Sequence, residues 1–151
     1  SELHTDHDPA GHGTSLYAEQ TRVPLFVLVP GKDFQGARSS RTVSNAGIAA
    51  TLSRLVGVEE AAFTVPVLPF PGNVAKRAPV LMSLNYLNRG LRAVAWNGRR
   101  YIRDAKAGGK EELYDILGDP VEKRNLASSG LTAGYRNLLT NTAGKLEGPE
   151  R

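Results

Sequence analysis

The chain has no cysteine, one methionine and one tryptophan in 151 residues. The missing cysteine excludes disulfides, thiolate metal sites and a cysteine nucleophile within this chain. No apolar run approaches the roughly 20 residues needed to cross a bilayer, and no basic-then-apolar leader opens the sequence. Familiar catalytic signatures are missing as well: there is no P-loop, no Ser-His-Asp arrangement and no dinucleotide fingerprint. Gly11-His12-Gly13 lacks the further glycine and the preceding strand that a dinucleotide loop requires.

What is present is ordinary for a folded domain: 40% hydrophobic and 23% charged residues, with a net charge of +4. The densest basic cluster is "NGRRYIRDAK", where Arg99, Arg100 and Arg103 interleave with Tyr101. Such a cluster suits contacts to nucleic acid or another polyanion. The plainer reading is a solvated strand face, and no nucleic-acid partner is expected.

Along the chain, residues 1–13 read as loop. "TSLYAEQT" offers Thr14 or Ser15 as an N-cap with Glu19 nearby, enough for a short helical turn. "RVPLFVLVP" follows without alternation, which predicts a strand over Val23–Val29 buried on both faces, as in the parallel sheets of α/β proteins. Pro30-Gly31 punctuates its end. "TVSNAGIAATLSRLVGV" predicts a helix with Val43, Ile48, Leu52, Leu55 and Val56 on one side and Gly57 as its stop. Four prolines break residues 59–79 into a connector. Beyond it the grammar changes to short strands: "PVLMSLNY", then "RAVAW" and "RRYIRD" joined by the hairpin signal Asn97-Gly98, then "EELYDI". "DPVEKRNLA" reads as a turn into a short helix, and residues 128–146 as a C-terminal helix. The expected division is therefore an α/β part over 1–58, a connector over 59–79, and a small antiparallel lobe over 80–151.

The three histidines, His4, His7 and His12, fall in the first dozen residues, and with Asp6 and Asp8 they spell "HTDHDPAGH". Imidazole and carboxylate form the ligand set for zinc and similar divalent ions. The alternative is a terminal loop whose polar residues face water. His12 differs from its neighbours in lying between glycines, ahead of a helical turn and an apolar strand. Ligands of open α/β sheets bind at strand and helix ends. A histidine there can donate to a bound oxyanion or protonate a leaving group; the alternative is a loop histidine capping a carbonyl.

Taken in order, "HGTSLYAEQTRVPLFVLVPG", "RTVSNAGIAATLSRLVGV", "NGRRYIRD" and "EELYDILGDPVEKRNLA" resemble the sulfatases of the alkaline-phosphatase superfamily. In that family a similar HGTSLY-x-EQ-x-RVPL stretch follows the metal-binding loop, and an ELYD…DP-x-E…NLA stretch, here Glu112–Ala127, marks the end. The resemblance spans nearly the whole chain. It departs from the family pattern in two places. The Cys-x-Pro-x-Arg or Ser-x-Pro-x-Arg nucleophile motif, matured to formylglycine, is not in this chain. The family's Asp-His-Gly metal motif follows an apolar strand, whereas Asp6-His7 follows only "SELHT" and Asp8 stands where glycine would.

The preferred alignment places "SEL" just after the family's metal pair, so that the pair precedes Ser1 and the rest of the protein is a missing partner. His7 then matches the histidine of a "GEHG" stretch, and His12 the residue that contacts the oxygens of the sulfate ester near the leaving group. The rival alignment makes Asp6 and His7 the metal ligands. The resemblance implies the C-terminal portion of an alkaline-phosphatase-like α/β sandwich, followed by a small antiparallel sheet with a C-terminal helix. It implies a parent enzyme that hydrolyses small-molecule or glycan sulfate esters with a divalent, calcium-like metal, and a fragment inactive by itself. Removing one oxyanion donor such as His12 costs about 2.7–4 kcal/mol of barrier in comparable sites. Two other readings stand beside it. One is a phosphodiesterase or phosphotransferase of the same superfamily. The other is a stand-alone polyanion-binding module using Arg99, Arg100 and Arg103. A strand at Val23–Val29 without its sheet also predicts self-association.

Overall fold

The computed structural model describes residues 13–28, 30–31, 36, 38–58, 65–69, 77–86 and 89–147. The elements are α1 (Ala18–Thr21), α2 (Gly47–Leu55), β1 (Val80–Tyr86), β2 (Arg89–Trp96), β3 (Arg99–Asp104), β4 (Lys110–Asp115), a 3-10 turn (Ala127–Ser129) and α3 (Thr132–Glu147). The architecture is mixed helix and strand. The described residues divide into two compact units, one formed by those up to Val23 together with those from Leu81 onward, the other by those between Pro24 and Val80.

The first unit is built on a four-stranded sheet in the order β1-β2-β3-β4, with β2, β3 and β4 paired antiparallel. Asn97 and Gly98 both take positive φ, 49° and 74°, as a type I′ turn demands. That turn sets the register: Trp96 faces Arg99 and Leu91 faces Asp104. Side chains alternate between faces, so each face buries its own cluster. On one side Val94, Tyr101 and Leu113 pack with Leu139 of α3, flanked by Leu81, Leu126, Tyr135 and Leu138. On the other, Leu91, Ala93, Ile102 and Tyr114 pack with Leu16, flanked by Tyr17, Met82 and Leu84. The sheet therefore lies between α3 and the segment around α1. The strands and the C-terminal helix fall where the sequence pattern places them.

The second unit differs more from expectation. α2 is shorter than the predicted 42–58, and it buries Gly47, Ala50 and Thr51 while Leu52, Leu55 and Val56 are exposed. The reason is a close backbone approach: a Cβ on Gly47 would lie 2.7 Å from the Pro66 carbonyl oxygen. The Thr51 hydroxyl continues the contact, donating to the Gly47 carbonyl at 2.6 Å and accepting from Leu68 N–H at 2.7 Å. Gly57, at φ 77°, ends the helix as expected; Val58 N–H reaches the Ser53 carbonyl in the Schellman pattern.

The predicted doubly buried strand does not form over the described residues 22–28, which carry no regular secondary structure. Phe26 and Leu28 are each 91% exposed. A strand buried on both faces needs partners on both edges, and no described strand pairs with this segment.

Candidate functional site

Residues 13–22 are held by side chains from three other parts of the chain. Gly13 takes φ 75°, which only glycine adopts readily. The N–H groups of Thr14 and Ser15 both donate to Gln20 Oε1, at 3.0 and 3.1 Å, and Gln20 Nε2 donates back to Thr14 Oγ1. Thr14 and Ser15 thus do not cap α1. Tyr17 occupies the N-cap position without a side-chain cap. The cap comes instead from far away: Ala18 N–H donates to Glu122 Oε2 at 2.6 Å. A short helix whose first-turn N–H groups lack an internal acceptor gains one from a carboxylate placed by tertiary structure.

Glu122 is fully buried and sits at φ 55°, an unusual conformation for a side-chain-bearing residue. The loop that presents it is folded by the polar residues of "ELYDILGDPVEKRNLA". Asp115 Oδ1 accepts from Leu117 and Gly118 N–H, and Asp119 Oδ2 accepts from Arg124 N–H. Asn125 Oδ1 accepts from Leu113 and Ala127 N–H, returning the chain to β4. The carboxylate then pairs with Arg100, whose Nη1 lies 3.2 Å from Oε1 and also donates to the Leu16 carbonyl at 3.0 Å. Burial pulls the Arg100 guanidinium below its ordinary range, with Glu122 opposing that shift and Arg22 adding to it.

A second buried carboxylate lies on the same face. Glu112 Oε2 accepts from the hydroxyls of Tyr17 at 2.6 Å and Tyr114 at 2.8 Å, and Lys110 Nζ stands 2.9 Å from its Oε1. The two tyrosine rings meet edge to face at 6.0 Å. Burial alone would raise the Glu112 carboxyl, but the hydrogen bonds from Tyr17, Lys110 and Tyr114 outweigh it and hold it below the usual range. Burial, and then the bond to Glu112, push the Tyr114 hydroxyl well up. Glu112 is thus held in its charged form. Glu112 and Glu122 together fix Tyr17 and Ala18.

Of the residues singled out in the sequence, His4, Asp6, His7, Asp8 and His12 lie outside the described residues. The three arginines are not brought together. The alternation of β3 sends Arg100 inward to Glu122, while Arg99 and Arg103 take the opposite face. Arg99 is half-buried across from Asp115, and Arg103 is exposed between Arg92 and Glu111. A shared polyanion contact by all three is therefore not what the strand presents, because a residue buried against its own counter-ion is not offered to a ligand. Sequence reasoning assigned no role to Gln20, Glu112 or Glu122. All three sit in the quoted stretches, as polar residues beside apolar positions, and that was the available signal.

No group of three or more His, Cys, Asp or Glu side chains able to hold a metal exists among the described residues. No described helix is long and apolar enough to cross a membrane. Neither a family model nor a curated protein matches this chain.

Proposed function

We propose that this chain is part of a sulfuric ester hydrolase, and that its small lobe serves to hold the segment carrying His12 in a fixed geometry. The observation that supports the reading is the contact between the two stretches on which the resemblance rests. Tyr17 and Ala18 of "HGTSLYAEQ" bond to Glu112 and Glu122 of "EELYDILGDPVEKRNLA" through largely buried groups. Residues 95 and 104 apart in sequence act as one structural unit. In this reading His12 donates to the sulfate oxygens near the leaving group, and the rigid turn after it keeps that donor in place during reaction. The nucleophile and a calcium-like metal site belong to residues that precede this chain. The fragment alone is inactive.

The test begins with the reading frame that encodes Ser1 and what lies upstream of it. The expected result is an apolar strand ending in Asp-His-Gly, with Cys-x-Pro-x-Arg further back. The product of that complete frame should cleave 4-nitrophenyl sulfate in preference to bis(4-nitrophenyl) phosphate. His12→Ala should lower kcat by a factor of about 100 or more. A threonine nucleophile upstream, with phosphodiester cleavage dominant, would assign the chain to the phosphoester branch of the superfamily instead. A start codon directly before Ser1, or turnover by residues 1–151 alone, would overturn the reading.

A further inference from the structure

Gln20 is the third residue of α1, and Tyr17 is the N-cap. In a capping box a glutamine at that position reaches back to the N–H of the N-cap residue. Gln20 reaches further. Its Oε1 accepts from the N–H groups of Ser15 and Thr14, two and three residues ahead of Tyr17. Its Nε2 donates to Thr14 Oγ1 at 3.1 Å. One carboxamide thus spends both acceptor positions of its oxygen and one N–H donor on a single turn.

That turn continues what the small lobe begins. Arg100, Glu112 and Glu122 hold Leu16, Tyr17 and Ala18. The bonds from Gln20 carry the order on to Ser15 and to Thr14, which follows His12 by two residues in the sequence. Ser15 is buried, so its amide, deprived of Gln20, has little water to turn to. The latch is local, made by a residue of the same helix, and is separate from the long-range contacts of the lobe.

We propose that Gln20 is a positioning residue for sulfate-ester hydrolysis, closing the Thr14–Ser15 turn so that the His12 donor meets the reacting ester. The inference rests on the role assigned to His12 above. A misplacement of about 1 Å can cost about 100-fold in rate. Because the bond from such a donor is realised in the transition state, the loss falls on kcat and leaves KM nearly unchanged.

The experiment has two parts. In the 151-residue chain, Gln20→Ala should speed amide hydrogen exchange at Thr14 and Ser15 by about tenfold or more. The Ala18 amide, held by Glu122, should keep its protection. In the product of the complete frame, Gln20→Ala should lower kcat for 4-nitrophenyl sulfate by about tenfold or more, with KM within about twofold. Gln20→Glu keeps the acceptors, and the Thr14 hydroxyl can turn to donate, so kcat should return to within about threefold. Thr21→Val removes the hydroxyl bond to the Tyr17 carbonyl in the same helix, and should change kcat by less than about twofold. In a His12→Ala background, Gln20→Ala should lower kcat by a further factor of less than about two, because the two residues act as one unit.

Unchanged amide exchange, or full kcat in Gln20→Ala, would overturn the proposal. So would an undiminished effect on top of His12→Ala, or an equal loss in Thr21→Val, which would make α1 a scaffold only. Absent turnover in the unsubstituted complete product would instead overturn the sulfatase reading, and the part of Gln20 in the reaction with it.

Discussion

The amide of Ala18 donates to the carboxylate of Glu122 at 2.6 Å across 104 residues of sequence. Because Arg100 pairs with the same carboxylate and with the Leu16 carbonyl, one buried side chain ties α1, β3 and the loop after β4 into one body. Buried ion pairs are seldom large net stabilisers, yet removing one partner strands the other in low dielectric. The arrangement thus makes the placement of Leu16 and Ala18 depend on the Arg100–Glu122 pair, beside the separate bond from Tyr17 to Glu112.

Glu122→Gln should therefore be strongly destabilising. The pair has side-chain exposures of 7% and 0%, and breaking such a pair costs about 3–5 kcal/mol. Urea unfolding followed by the fluorescence of Trp96 gives the number. Combining Glu122→Leu with Arg100→Met should recover much of the loss, because no charge is then left buried. A single variant that unfolds within about 0.5 kcal/mol of the parent would show that Arg100 finds water.

Glu111 gives a pH dependence with a definite sign. Its hydrogen bonds, first from Arg136 and then from Tyr101, hold its carboxyl at about 2, below the ordinary 4.5. A carboxyl with a lowered folded value contributes stability that is fully present above the unfolded value and lost as pH falls through the folded one. The melting temperature should decline as pH drops from about 4.5 towards 2. Glu111→Gln should flatten that decline, because it removes the titrating group. An identical slope in both proteins would place the acid sensitivity elsewhere.

The hairpin was legible in the sequence because its information is local. Asn97-Gly98 names its own turn, and a two-residue turn pairs the fifth residue on either side, so Arg92 opposite Arg103 follows from counting. The period of two in "RRYIRD" likewise separates Arg100 from Arg99 and Arg103, although clustering by charge hides it. The buried face of α2 was not legible, because Gly47 is selected by the carbonyl of Pro66, nineteen residues on, and hydropathy points to Leu52 and Leu55 instead. Apolarity over Val23–Leu28 reports a preference for burial but cannot supply the strands that would provide it. The role of Glu122 was hidden for a similar reason: the N–H it caps and the guanidinium it pairs with come from remote segments.

Gly98→Ala should cost more than Gly130→Ala. Both glycines take positive φ, 74° and 78°, so both substitutions strain the backbone by about 1–3 kcal/mol. At Gly98 the new Cβ would also meet Leu117 Cδ1 at 2.7 Å, whereas at Gly130 nothing lies within 4 Å. Leu117 is exposed and can swing away, which keeps the added steric part small. Thermal melting of the two variants side by side gives the difference, and equal melting temperatures would show that Leu117 yields at no cost.

The segment before α2 should make the chain self-associate. Phe26 and Leu28 are 91% exposed, and Val23, Leu25 and Val27 are 56%, 41% and 46% exposed, within a single short stretch. Burying one fully exposed Phe or Leu side chain is worth about 1.5–3 kcal/mol, enough for a contact between two copies to compete with water. An unpaired apolar segment also offers its backbone groups to a second chain. Sedimentation velocity over a range of concentrations should show mass above that of one chain. Phe26→Ser with Leu28→Ser should return the protein to monomer without lowering its melting temperature, because neither side chain is buried in the fold. A parent chain that stays monomeric at the highest concentrations would mean that this surface, apolar as it is, finds no partner in its own copies.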